Sequence, residues 1–220
     1  MPTDYGVISA ACRDAGDGLT NWRISHFLFP AVTIITVGSP QDQGCVPSHM
    51  WVPIDDENTM QWSVKWNPND PLTEEQRRGG ASYNDEYLPD PSGWLGHWRP
   101  LANRRNDYLI DREKQRTRTF TGLPAFPIED KAVTESMGPI VDRTREHLGS
   151  TDAIIIRVRR QLLDAARKLG QDGTSPPCVD EPSLYGVRSA IVNLPDETSW
   201  REATAQLLQA FSGLPAASNV

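Results

Sequence analysis

The sequence predicts an α+β protein, an antiparallel sheet with C-terminal helices packed on it. Three observations carry that class. Short runs rich in β-branched and aromatic residues fill the first third, separated by Gly, Pro, Asp and Asn. The connections between them are too short for parallel crossovers, so neighbours pair antiparallel. Amphipathic stripes of helical period then fill the last part, and strands followed by helices indicate helices laid on a sheet.

The strand runs are YGVISAA (Tyr5 to Ala11), NWRISHFLFP (Asn21 to Pro30), VTIITVG (Val32 to Gly38), HMWVPID (His49 to Asp55) and MQWSVKW (Met60 to Trp66). Asp55-Asp56-Glu57-Asn58 reads as a hairpin turn, in which the acids bond to their own backbone rather than to a substrate. From Asn67 to about Arg105 the chain is irregular and polar, with Trp94, His97 and Trp98 suited to packing against something. NDYLIDREKQRTRTFTGLPAF follows and reads as an exposed connector with weak local ion pairs such as Asp111 with Arg112 or Lys114.

Helices close the chain. Pro124 and Pro127 precede a stretch in which Asp130, Val133, Met137, Val141, Thr144 and Leu148 are spaced by three or four residues. Gly138-Pro139 divides it, so the shared face is firm only from Asp130 to Met137. Gly149 is read as a stop and Ser150-Thr151-Asp152 as the next cap. Ile155, Val158, Leu162, Ala165 and Leu169 then form a stripe ending at Gly170. A last helix, at about 198–212, begins with Ser199 and Glu202 in capping-box spacing and carries Trp200, Leu207, Leu208 and Phe211, with Gly213 and Pro215 closing it. The tail from Leu214 to Val220 is expected to be disordered.

Composition narrows the function. A formal charge of −7 and a pI near 5.1 disfavour general nucleic-acid binding. Arg157, Arg159, Arg160, Arg167 and Lys168 read as a solvated helix face. No targeting signal or membrane span is legible, which points to a cytoplasmic protein. Cys12, Cys45 and Cys178 form no Cys-x-x-Cys or Cys-x-His pair. His26, His49, His97 and His147 lack short ligand spacing, so a self-contained metal centre is not expected. A hydrophobic fraction of 38%, a mean hydropathy of −0.51, 18 prolines and 16 glycines allow a core that need not be complete. Tyr5 opens a strand with almost no lead, hinting that the sheet continues upstream. Arg13 and Arg23 lie on strands and are weighed as partners for a substrate carboxylate, against the commoner solvent-facing role.

Asp130 is the most informative residue. It leads a stripe expected to face a core, and a buried carboxylate needs a cation or several donors. Its place next to Glu129 in a first helical turn allows a helix terminus as partner; a basic side chain or a metal are the other candidates.

NDYLIDREKQ and GLPAFPIEDKAVTESMGPIVDRTREHLGSTDAIIIRVRRQLLDAARKLG resemble the C-terminal part of the oxygenase α-subunit of Rieske non-heme iron oxygenases. The likeness is greatest to the phthalate 4,5-dioxygenase and phenoxybenzoate dioxygenase group, which also includes aromatic O-demethylases. DYGVISAACR, HFLFP and MWVPIDDENTMQWSVKW are similar to sheet strands of the same domain, so the resemblance runs from about Thr3 to Gly170.

That resemblance implies a helix-grip catalytic domain, here residues 1–170 and N-terminally truncated, with 171–220 as an extension whose helix packs on it. It implies a mononuclear Fe(II) held by two histidines and a carboxylate beside an aromatic-substrate pocket, and Asp130 in Glu129-Asp130-Lys131-Ala132 matches the carboxylate. The family's Cys-x-His and Cys-x-x-His site for a [2Fe-2S] Rieske cluster, its two histidine ligands and its electron-bridging acid have no match in this chain. The expectation is a catalytic portion of an enzyme that hydroxylates or O-demethylates an aromatic acid or ether, inactive alone. Its expected partners are the missing N-terminal Rieske half, a reductase component and other copies in a trimer. The rival expectation is a non-enzymatic helix-grip module binding an apolar small ligand.

Overall fold

A computed structural model describes residues 1–40, 44–78, 86–89, 92 and 98–210. The described chain combines an antiparallel sheet with helices, and the expected α+β class holds. It divides into two compact units. One comprises Met1–Ile54, Thr59–Leu72 and the chain from Glu146; the other comprises Asp55–Asn58 and Thr73–Arg145.

The first unit holds the sheet: β1 (Pro2–Thr3), β2 (Gly6–Gly16), β3 (Leu19–Leu28), β4 (Val32–Ile34), β5 (Val46–Pro53), β6 (Thr59–Trp66) and β7 (Ala190–Pro195). The order β1-β2-β3-β4-β5-β6 follows the chain, as hairpin-length connections dictate. β3 is shared: Leu19 to Ile24 pair with β7 and His26 to Leu28 with β4. β7 was not anticipated, because SAIVNLP is short and lies between polar loops; only its long-range pairing with β3 makes it a strand.

Two apolar clusters cover the two faces. Val7, Phe27 and Phe29 pack with Ala165, Ile154, Val158 and Leu162 of α4 (Ala153–Asp172). Leu28, Ile34 and Val46 pack with Tyr5, Val32, Trp66, Tyr185 and Val187. Gly6 makes the closest approach. At φ +146° a Cβ there would stand 2.2 Å from the Phe27 carbonyl oxygen, and the Gly6 carbonyl accepts a 3.0 Å bond from the Gln161 side chain of α4. His26 is 2% exposed in this unit. A carbonyl only accepts, so the 3.0 Å contact to the Arg188 carbonyl places the proton on Nε2, and Nδ1 accepts from the Tyr5 hydroxyl at 2.9 Å. Burial pushes its pKa down to about 4, against a smaller rise from the Arg188 bond.

The helices correct several expectations. α4 passes through Gly170 and ends at Asp172, where Gly173 takes the left-handed cap (φ 72°). Val158, Leu162 and Ala165 of the expected stripe pack against Val7, Phe27 and Phe29, but its ends differ: Ile154 takes the first position, while Ile155 and Leu169 are exposed. Gly149 opens a short 3-10 turn (Ser150–Asp152) and donates its N–H to the Asp152 carboxylate at 2.8 Å, so it is a start rather than a stop. Among the described residues the last helix is α5 (Trp200–Thr204), without a side-chain bond at Ser199. The chain then leaves helical geometry because Leu208 and Ala210 pair with the backbone of Arg188 and Gly186. Phe211, Gly213, Pro215 and the tail lie outside the described residues.

The second unit contains α1 (Glu74–Arg78), α2 (Arg112–Thr117) and α3 (Phe126–Ser136), with a core of Ala102, Tyr108 and Ile128 flanked by Leu123, Ala125 and Ala132. No helix among the described residues is long and apolar enough to cross a membrane.

Candidate functional site

The connector before α3 is a folded frame. Asn103 and Asn106 cap each other's backbone: the Asn103 side chain accepts from Arg105 N–H, and the Asn103 N–H donates to the Asn106 side chain, both at 2.9 Å. Asp107, Tyr108 and Leu109 then take left-handed backbone at φ 48°, 56° and 58°. That conformation costs residues with a Cβ roughly 1–2 kcal/mol each, so the surrounding fold must over-determine it. The turn delivers Tyr108 into the core, 8% exposed, with its hydroxyl donating to a Glu135 carboxylate oxygen at 2.8 Å. Burial, followed by the bond to and charge of Glu135, pushes the Tyr108 pKa up to about 12.

Asp111 forms the expected local pair with Lys114 and also caps α2. Its carboxylate accepts from Glu113 and Lys114 N–H at 2.9 Å each, and Lys114 Nζ stands 3.8 Å away. These donors hold the Asp111 pKa below the usual carboxylate range, with the Lys114 N–H the strongest. Gly122 returns the chain at φ +71°, where a Cβ would meet the Asp111 carbonyl oxygen at 2.5 Å. The Asp111 N–H donates to the Gly122 carbonyl at 2.9 Å.

α3 follows, with Pro127 in its first turn and Ala125 as cap. It begins four residues before Asp130 and ends at Ser136, since Gly138 turns at φ +92° and Pro139 follows. On one face Ile128, Ala125 and Ala132 join the core; beside them Glu129 accepts from the Thr121 hydroxyl, and Glu135, itself exposed, accepts from Tyr108. The opposite face is outward. Phe126 (63% exposed), Asp130, Val133 (67%) and Met137 (52%) lie along it, and Ile140 beyond the helix is 70% exposed.

The stripe read from the spacing therefore exists as far as Met137, but it is this outward face. The core of its own unit takes Ile128 and Ala132 instead. Asp130 is exposed, and its backbone carbonyl accepts from the Thr134 hydroxyl at 2.8 Å. Beyond the glycine, Val141 is half-buried, Thr144 caps back on Asp142, and Leu148 belongs to the other unit.

The other singled-out residues lie apart from this face. Arg13 is exposed, whereas Arg23 donates to the Thr36 carbonyl at 2.6 Å and to its hydroxyl at 3.3 Å. His26 has both ring nitrogens engaged, His49 Nδ1 contacts Ser63 and Gln61, and His147 is exposed. Asp55 accepts from the Glu57 and Asn58 backbone, as a turn former does. His97 and Trp94 lie outside the described residues, and Trp98 meets Tyr87 edge-on at 5.5 Å. Cys178 Sγ donates to the Asp4 carbonyl.

Asp130 offers one exposed carboxylate on a face it shares with the exposed side chains of Phe126, Val133 and Met137. Among the described residues no group of three or more His, Cys, Asp or Glu side chains comes together to hold a metal, so they do not by themselves fit a three-ligand iron centre. The pair missed by sequence reasoning is Tyr108 with Glu135. Asn103 and Asn106 at capping-box spacing were its one local signal; nothing in the residue types marks consecutive left-handed backbone at Asp, Tyr and Leu.

Comparison with known proteins places these features. The family model described as LigXa C-terminal domain like matches residues 2–214. The chain is 35% identical over 216 residues to the 3-chlorobenzoate-3,4-dioxygenase oxygenase subunit of Comamonas testosteroni, covering 94% of this chain and 50% of that one. It is 33% identical over 223 residues to the phthalate 4,5-dioxygenase oxygenase subunit of Pseudomonas putida, covering 95% and 46%. The chain spans about half the length of these relatives. With nearly its whole length matched, the chain belongs to the LigXa C-terminal domain-like family.

Proposed function

We propose that the chain is the catalytic-domain portion of a Rieske-type oxygenase that hydroxylates or O-demethylates an aromatic acid or ether with O2, and that Asp130 is its carboxylate ligand to a mononuclear iron. The observation that carries this reading is the outward face of α3. A helix exposing Phe126, Val133 and Met137 around one acid has the make-up of a cavity wall, with a hard anionic ligand set among apolar side chains suited to an aromatic ring. The relatives' names as dioxygenase oxygenase subunits supply the reaction class.

One carboxylate does not hold ferrous iron against water, because affinity comes from several ligands converging in fixed geometry. The histidine pair, the [2Fe-2S] cluster and the reductase that feeds it therefore come from outside the described residues, in a cytoplasmic assembly of several copies. The described residues alone turn over nothing.

The test is Asp130→Ala in the chain assembled with the segment that supplies the remaining ligands. Iron content measured by atomic absorption and product formation are both expected to fall below a hundredth of the parent's. Retained iron and turnover overturn the ligand role. Tight binding of an apolar ligand by the chain alone, with no response to iron, supports a non-enzymatic module instead.

A further inference from the structure

α3 rests on its core through one large side chain, Ile128, and two alanines, Ala125 and Ala132. So few large side chains oppose a roll about the helix axis weakly, which leaves rotation to two side-chain bonds, Thr121 to Glu129 and Tyr108 to Glu135. At about 100° per residue, Glu135 lies about 20° from Ile128 around the helix, while Asp130 lies about 160° from it. Pinning Glu135 therefore sets the direction of the opposite face.

The pin is Tyr108. Its hydroxyl reaches Glu135 at 2.8 Å from a turn in which Asp107, Tyr108 and Leu109 hold left-handed backbone, flanked by the Asn103–Asn106 caps and the 3.0 Å bond from Tyr108 N–H to the Asn103 carbonyl. A fold that retains three unfavourable residues in a row to place one phenol gains orientation from them. We infer that the bond from Tyr108 to Glu135, set by the left-handed turn Asp107–Leu109, is a brace that fixes the rotation of α3 and aims Asp130, making Tyr108 and Glu135 positioning residues. The inference rests on the reading of Asp130 as an iron ligand. A carboxylate about 6 Å from the helix axis moves roughly 2 Å for a 20° roll, more than the displacement of about 1 Å that disables a site.

The test begins with the 220-residue chain. Tyr108→Phe removes only the hydroxyl. Amides of residues 129–137 are expected to exchange with deuterium about tenfold faster, while those of β2 and β3 are unchanged. In the iron-loaded assembly, at a temperature where circular dichroism shows the variant folded, kcat and iron occupancy are expected to fall about tenfold with KM within about twofold. Glu135→Gln, whose amide oxygen still accepts from Tyr108, is expected to recover most of what Glu135→Ala loses.

Unchanged α3 exchange in Tyr108→Phe overturns the brace. So does faster exchange with iron occupancy and kcat intact. Asp130→Ala separates this failure from the other: if Asp130→Ala abolishes iron binding while Tyr108→Phe does nothing, the ligand role stands and the brace falls. If Asp130→Ala keeps its iron, the ligand role falls and with it the aiming function, whatever α3 exchange shows.

Discussion

The sheet unit and the α3 unit are held together by different means. In the first, β2, β3 and β7 share long antiparallel ladders, and α4 covers one sheet face through a continuous apolar stripe. In the second, ladders are nearly absent among the described residues, and single side chains do the joining: Asn103 on Arg105, Asp111 on α2, Thr121 on Glu129 and Tyr108 on Glu135. A ladder spreads stability over many bonds and tolerates the loss of one. A frame of caps concentrates orientation in a few contacts, which suits a segment whose role is to present one face.

The contrast breaks first at Gly6. Gly6→Ala puts a Cβ into the Phe27 carbonyl, a backbone atom that cannot turn aside, and also forces a side chain into φ +146°. A loss of about 3 kcal/mol or more is expected, read as failure of the sheet unit to show cooperative thermal unfolding. If the variant melts like the parent, the close approach of β2 and β3 is not the constraint described.

The second prediction uses pH. His26 is neutral when folded, with its pKa lowered from 6.5 to about 4, so the unfolded chain binds more protons between those values. Stability therefore rises with pH across that window: it is complete above about 6.5 and declines as pH falls toward 4, by about 3 kcal/mol in all. Urea midpoints of the parent should follow this slope, and His26→Gln should flatten it. An equal slope in the variant assigns the dependence to other groups.

The smallest effect belongs to the frame. Asp111→Ala removes a cap from α2 and should cost about 1 kcal/mol. Hydrogen exchange should register it in 112–118 and leave β2 and β3 untouched. Loss of protection throughout both units sinks the distinction between them.

Much of the sheet was legible because a strand pairing with its neighbour needs only local alternation and a turn, and Tyr5 to Trp66 carry both in their residue types. β7 was not, since its strand character comes from β3, roughly 170 positions away in Asn21↔Asn193. The α4 stripe was legible through Val158, Leu162 and Ala165 but its first position was not, because Ile154 and Ile155 are equally apolar and only Val7, Phe27 and Phe29 choose between them.

At the candidate site the division is similar. Residue types and spacing alone determined that Asp130 shares a face with Val133 and Met137, and that Gly138-Pro139 ends it, for helical period and proline geometry are local properties. Which way that face turns was decided by tertiary structure. Both sides of α3 carry apolar residues, and the choice fell to Ile128 because Tyr108, held by a left-handed turn that no residue type announces, binds Glu135 on that side.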